Sequence, residues 1–147
     1  MSNPLRWKGD DWARHGDNLI ALGDENGAML AYEEALRLDG ACIAALMGRG
    51  IVSYRACAWD KAVADFSLAL RARPEHVPAR LHRSFALLRR GDIARAVDEF
   101  TRVLEAEPDN WRAFQGRARA WEGLGQHSNA QHDEQLAAEL VSEKQTR

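Results

Sequence analysis

The chain is poor in the residues and patterns on which several protein classes depend. Its 147 residues include only two cysteines, Cys42 and Cys57, which do not form a C-x-x-C pair. Neither a disulfide scaffold nor a zinc module is therefore indicated. No apolar run approaches the roughly 20 residues that a bilayer span needs, and residues 1–8 lack the apolar stretch of a secretory signal. We expect a cytoplasmic protein that has no membrane partner.

The chain also lacks an excess of charge of one sign. Its formal net charge is −2; residues 1–42 hold four Lys or Arg against eight Asp or Glu, and residues 43–76 hold five against three. Nucleic-acid binding would need a basic stripe with stacking aromatics, so no nucleic-acid partner is expected. Nearly all of the basic residues are arginine; genomic bias is the favoured explanation, and a functional use of arginine is the alternative.

Residues that carry chemistry are present but not in a useful pattern. The five histidines form no i, i+4 pair of the kind that holds a metal. The serines and cysteines have no histidine and aspartate partners that would activate a nucleophile. Gly48-Arg49-Gly50 lies within a predicted helix, so its glycines indicate close packing and not a phosphate loop. We expect no catalytic site, no metal and no cofactor.

What the sequence does contain is an internal repeat of 34 residues. Phe66 and Phe100 are separated by this spacing, as are Pro74 and Pro108. One column of the repeat is always alanine, at Ala28, Ala62, Ala96 and Ala130. The register gives four units: residues 9–42, 43–76, 77–110 and 111–144. We expect these units to form a single domain over residues 9–144.

Two short segments lie outside the repeats. Residues 1–8 form a leader that we expect to be frayed and flexible, with packing of Trp7 onto the first unit as the alternative. Residues 145–147 form a tail.

Each unit is predicted to be a pair of helices. In the third unit, Leu81, Phe85 and Leu88 have the i, i+4, i+7 spacing of one helix face. Gly91 supplies the left-handed residue at which a helix ends. Asp92 is the predicted N-cap of the next helix, with a side chain that accepts a backbone N–H. The second unit has Cys57 where the others have glycine at this turn, so we expect that turn to be looser.

A lone helix pair cannot cover its own apolar face, so the pairs are expected to stack. The alanine column permits close helix crossing, and an aromatic column beside it, Tyr32, Phe66 and Phe100, fills the larger gaps. In the last unit this column becomes Glu134. The same helix carries Gln131, His132 and Asp133, and we interpret it as a polar outer helix that caps the array.

The pattern resembles the tetratricopeptide repeat over about 136 of the 147 residues. The first unit matches the signature best, at Trp12, Gly16, Leu19, Gly23, Ala28, Tyr32 and Ala35. The resemblance implies an all-α fold, a right-handed superhelical solenoid of four stacked antiparallel helix pairs. It also implies that proteins or peptides bind in a concave groove, which the first helix of each pair lines.

The groove residues that this implies are apolar in the middle of the array, acidic at its start and basic at its end. They are Met47, Ile51, Tyr54, Arg55, Leu81, Phe85, Leu88, Arg89, Arg112, Gln115 and Arg119. In the first unit the same stripe contains Asp10, Ala13, Asp17 and Ile20. Some of the family hold a chaperone's C-terminal carboxylate with a clamp of Lys, Asn and Arg. The matching positions here cannot form that clamp, since Asp17 would repel a carboxylate.

An apolar groove suits an amphipathic helix or an extended apolar segment of a partner. The sequence therefore predicts a non-catalytic module or scaffold that binds another protein or peptide, and Ile51→Asp or Phe85→Asp should preserve the fold and abolish binding. Three alternatives stay open. The groove residues serve only for contact between neighbouring helices, the chain's own leader covers the groove, or the repeat surface drives self-assembly into a homo-oligomer.

Overall fold

A computed structural model describes residues 3–147, so Met1 and Ser2 of the leader lie outside the described residues. A single 3-10 turn, Pro4–Arg6, precedes the α-helices. Residues 3–147 contain no β-strand. The helices are α1 Gly9–Ala21, α2 Glu25–Leu38, α3 Ile43–Arg55, α4 Trp59–Ala72, α5 Val77–Arg90, α6 Ile93–Ala106, α7 Trp111–Gly123 and α8 His127–Gln145.

The chain forms two compact units, which divide within α5. Each is larger than one 34-residue repeat, and from here on the first unit and the second unit mean these two compact units. The first unit ends at Ala79 and holds α1 to α4; the second begins at Arg80 and holds the rest of α5 together with α6, α7 and α8.

One cluster in the core of the first unit consists of small side chains around the ring of Tyr32. Tyr32 is 1% exposed and belongs to a buried cluster from three helices and the turn between α2 and α3: Ala13, Ala28, Tyr32, Ala35, Cys42, Ala45 and Val52. A Cβ placed at Gly16 of α1 or at Gly48 of α3 would overlap the Tyr32 ring. The glycines are therefore required where two first helices approach the same aromatic side chain.

The second unit repeats this packing around Phe100. Phe100 is fully buried with Ala96 and Val103 of the same helix. A Cβ at Gly116 of α7 would overlap the Phe100 ring, just as a Cβ at Gly48 would overlap the Tyr32 ring. The expectation that helical glycines mark close packing is confirmed.

The turn at Cys57 is not looser than the glycine turns, contrary to the expectation. Cys57 takes the left-handed conformation with φ 58°, and Gly23, Gly91 and Gly125 take it at the equivalent turns. The Cys57 N–H donates to the Tyr54 carbonyl at 3.0 Å and the Ala58 N–H to the Ser53 carbonyl at 2.9 Å. The equivalent two hydrogen bonds close each of the three glycine turns as well. The hydrogen bonds thus hold a cysteine in a conformation that favours glycine.

The cap of α6 and the packing of the leader also differ from what we expected first. Asp92 occupies the N-cap of α6, but its side chain makes no capping hydrogen bond and pairs with Arg90. In the leader, Trp7 takes the alternative placement: its ring packs edge-on against Trp12 and His15, with centroids 4.9 and 5.2 Å apart.

Candidate partner-binding surfaces

A hollow of about 200 Å³ opens between α1 and α3 in the first unit. We call it the first-unit hollow, and it is lined by Asp17, Ile20, Tyr32, Gly48, Ile51, Val52 and Arg55. It forms because Gly48 has no side chain and Tyr32 lies beneath it. Of the stripe predicted from the sequence, it brings together Asp17, Ile20, Ile51 and Arg55.

The first-unit hollow has apolar walls and a polar rim. Ile20 and Ile51 are both half-buried. The Tyr32 hydroxyl donates to Asp17 Oδ1 at 2.7 Å, and burial together with this carboxylate raises the pKa of Tyr32. Arg55 is exposed and its guanidinium lies 3.8 Å from Glu25. The lining of the first-unit hollow thus combines two isoleucines with a carboxylate and a guanidinium.

The other predicted groove residues of the first unit have different surroundings. Met47 packs against a buried cluster that contains Leu46 and Ala79. The Tyr54 ring contacts that of Trp59 edge-on, with centroids 5.0 Å apart. Neither residue lines the first-unit hollow.

In the second unit the apolar residues of the predicted groove are half-buried, namely Leu81, Phe85 and Leu88, whereas Arg89 is exposed. Phe85 packs edge-on against Phe100 with centroids 4.9 Å apart, and a Cβ at Gly116 would also meet its ring. Phe85→Asp would therefore place a charge against the core and damage the fold. This prediction replaces the expectation from the sequence that Phe85→Asp preserves the fold.

The predicted basic end of the groove lies on one exposed face of α7. Arg112, Gln115 and Arg119, which we call the α7 stripe, are spaced three and four residues apart and are all exposed. Gln115 and Arg119 line a second hollow of about 540 Å³ between α7 and α8, the second-unit hollow. Its remaining lining residues are Trp111, Glu134, Ala137, Ala138, Val141, Ser142 and Gln145.

A column of ion pairs joins the two helices of the second, third and fourth pairs, and the sequence interpretation missed it. Arg49 binds Asp65 at 3.0 and 2.8 Å, and Arg117 binds Asp133 at 2.7 and 2.8 Å. Between them in register, Arg83 donates to Glu99 at 2.7 Å. Each arginine is 16 positions before its carboxylate, and successive pairs are 34 positions apart.

This column of ion pairs corrects the interpretation that Asp133 belongs to a polar outer surface of α8. Asp133 is 1% exposed and points inward to Arg117. The sequence signal that could have predicted these ion pairs is the 34-residue spacing of the three arginines and of the three carboxylates. In the first pair the same positions hold His15 and Ala31, and the rings of Trp7 and Trp12 pack against His15.

Within residues 3–147, no group of three or more His, Cys, Asp or Glu side chains is placed to hold a metal ion. None of the helices in the same range is both long and apolar enough for a bilayer crossing.

Comparison with solved structures identifies the fold. A crystal structure of MamA superposes with a TM-score of 0.86 at 18% identity, covering 95% of this chain and 81% of the other. MamA 41-end from Desulfovibrio magneticus RS-1 gives 0.83 at 22% identity, covering 90% and 75%. At these identities the likeness concerns the fold alone. It confirms the all-α, tetratricopeptide-like solenoid that the sequence predicted.

Sequence comparison identifies the family. Human tetratricopeptide repeat protein 6 is 29% identical over 110 residues, 72% of this chain but 21% of that protein. Mouse sperm-associated antigen 1 is 30% identical over 95 residues, 65% of this chain and 10% of that protein. The chain thus spans a tenth to a fifth of these relatives. A tetratricopeptide repeat model matches residues 14–77 and 86–143, and the chain therefore belongs to the tetratricopeptide repeat family.

Proposed function

We propose that the chain is a non-catalytic interaction module that binds a partner polypeptide along the first helices of its pairs. Membership of the tetratricopeptide repeat family supports a role in protein–protein interaction. The first-unit hollow supplies the observation that carries the proposal, because it is an open apolar recess on the face that the family uses. One large apolar side chain of the partner is the anchor that fits it.

The energetics of such an anchor are adequate for a specific contact. Burying one aliphatic or aromatic side chain stabilises a complex by about 1.5–3 kcal/mol before the cost of ordering the partner. Ile20 and Ile51 provide the apolar contact, and both keep part of their surface exposed in the free protein. Arg55 and Asp17 at the rim orient the partner backbone or its polar groups.

The test is affinity capture from an extract of the source cell with two matched variants. Ile51→Asp places a charge in the first-unit hollow. Leu30→Asp places the same charge on the outer surface of α2, where Leu30 is 68% exposed. Circular dichroism and urea unfolding confirm that each variant is folded before capture is compared.

We expect Ile51→Asp to lose a partner that wild type and Leu30→Asp both retain. Equal recovery with all three proteins, or loss with Leu30→Asp alone, would show that the partner does not use the first-unit hollow.

Self-assembly by end-to-end stacking finds less support in the residues at the start of the array. Where α3 presents Ala45 and Val52 to the first pair, the equivalent positions of α1 are Asp11 and Asn18. Light scattering across the micromolar range distinguishes the two functions. A mass that stays at 16.5 kDa removes self-assembly.

A further inference from the structure

The arginines of α5 and α7 in the second unit fall into two groups. Arg83 and Arg117 form ion pairs with the carboxylates of their own helix pairs, Glu99 and Asp133, and both are largely buried. Arg112 and Arg119 differ, because both are exposed and neither has an ion-pair partner within residues 3–147. The Arg112 guanidinium lies 5.3 Å from the centre of the Trp111 ring, which restricts its orientation without neutralising it.

The second-unit hollow lies beside these two arginines and has a counterpart in the first unit that is filled by a helix. In the first unit, Ala13, Tyr32 and Ala35 are covered by α3. Three periods later, the equivalent residues Gln115, Glu134 and Ala137 line the open second-unit hollow. The shape that fits this face of a helix pair is thus a helix.

We propose that the second-unit hollow and the α7 stripe bind an acidic amphipathic helix of a partner protein, with carboxylates on Arg112 and Arg119 and apolar side chains over Trp111 and Val141. This inference rests on the proposed function and specifies the chemistry of the partner at the C-terminal pair of helices.

The spacing of the arginines supports a helical partner that runs along α7. Arg112 and Arg119 are seven residues apart, which is about 10 Å along a helix. Acidic residues at i and i+7 of a partner helix have the same separation and lie on one face. Arginine binds carboxylates with two hydrogen bonds in a fixed geometry, as Arg117 binds Asp133 within this chain. Glu134 on the opposite wall selects a basic or neutral residue on the other flank of the partner helix.

The test selects peptides of about four helical turns from a displayed random library on the full chain. We expect enrichment of sequences with acidic residues seven positions apart and apolar residues between them. A selected peptide is then measured by fluorescence anisotropy. Arg112→Glu combined with Arg119→Glu should weaken its binding by about tenfold or more, and added salt should weaken binding to wild type.

The matched control is Arg95→Glu combined with Arg102→Glu. It makes the same change of net charge at exposed positions of α6, and we expect affinity close to that of wild type. An equal loss with this control would overturn the inference, because the effect would then be one of overall charge. Enriched peptides without the acidic pattern, or no enrichment, would also overturn it, as would a homodimer that the α7 substitutions dissociate.

The two proposals fail in different ways. A peptide or partner that is lost with Ile51→Asp but retained by the α7 double variant supports the proposed function and overturns the inference. Ligands that neither substitution affects overturn both.

Discussion

Arg117 of α7 and Asp133 of α8 form a bidentate ion pair in which Nε and Nη2 donate to the two carboxylate oxygens at 2.7 and 2.8 Å. The side chain of Asp133 is 2% exposed and that of Arg117 is 19% exposed. Arg117 Nη1 also donates to Thr101 Oγ1 of α6 at 3.1 Å. One guanidinium therefore links both helices of the last pair to the second helix of the preceding pair.

Removal of the Asp133 carboxylate should destabilise the protein by about 3 kcal/mol, because Arg117 would be left buried without its counter-charge. The measurement is urea unfolding of Asp133→Ala, followed by circular dichroism. Replacing both residues together, as Arg117→Met with Asp133→Leu, should recover most of the loss, since no charge then stays buried.

The pair formed by Arg37 and Glu34 on α2 is the control for this experiment. Its two groups lie on the exposed surface of one helix, and water and salt screen such pairs effectively. Glu34→Ala should leave the urea midpoint nearly unchanged. If Asp133→Ala behaved in the same way, the buried pair would have no part in holding the helices together.

Cys57→Gly should stabilise the protein by about 1 kcal/mol. Cys57 has φ 58°, a conformation in which a Cβ crowds the following carbonyl oxygen. Glycine adopts it without that contact, and its greater freedom in the unfolded chain offsets part of the gain. Thermal and urea unfolding of the variant give the sign and the size of the change.

Gly91→Ala tests the same explanation in reverse. Gly91 has φ 98°, and a Cβ there would meet no atom within 4 Å. The expected loss of about 1 kcal/mol therefore comes from the backbone conformation alone. A stabilising Gly91→Ala, or a destabilising Cys57→Gly, would contradict the strain argument.

Stability should decrease as the pH falls below about 6.5, in part because of His82. Burial, and to a lesser extent the charge of Arg112, lower the pKa of His82 from its ordinary value of 6.5. The unfolded chain then binds the proton more tightly than the folded protein does. The contribution of neutral His82 is complete above pH 6.5 and is lost as the pH falls from 6.5 toward the lower pKa of the folded state.

Urea unfolding of wild type and His82→Gln at about pH 7.5 and about pH 5.5 checks this assignment. The difference between the two pH values should be smaller in the variant, whatever its absolute stability. His76, whose pKa is lowered by burial and by Arg73, should account for a separate part of the pH dependence of stability. His76→Gln should remove that part. An unchanged pH dependence in His82→Gln would rule out His82 as a contributor.

The candidate site could be predicted only in part. The 34-residue register placed Ile51 and Arg55 on a helix face, and both line the first-unit hollow. The same register did not distinguish Ile51 and Arg55 from Phe85, although Phe85 packs against Phe100. Helical periodicity identifies a face, but it does not determine how far a neighbouring helix covers that face.

The sequence by itself determined the helix pairs, their turns and the family of the fold, because these depend on periodic apolar residues, small columns and glycines that act locally or between adjacent repeats. The tertiary structure alone decided which polar residues are internal. Asp133 and Arg117 look like surface residues in the sequence, and they are buried because each neutralises the other across two helices. Arg112 and Arg119, of the same residue type and on the same helix as Arg117, have no such partner in the part of the chain that the structure describes and are exposed.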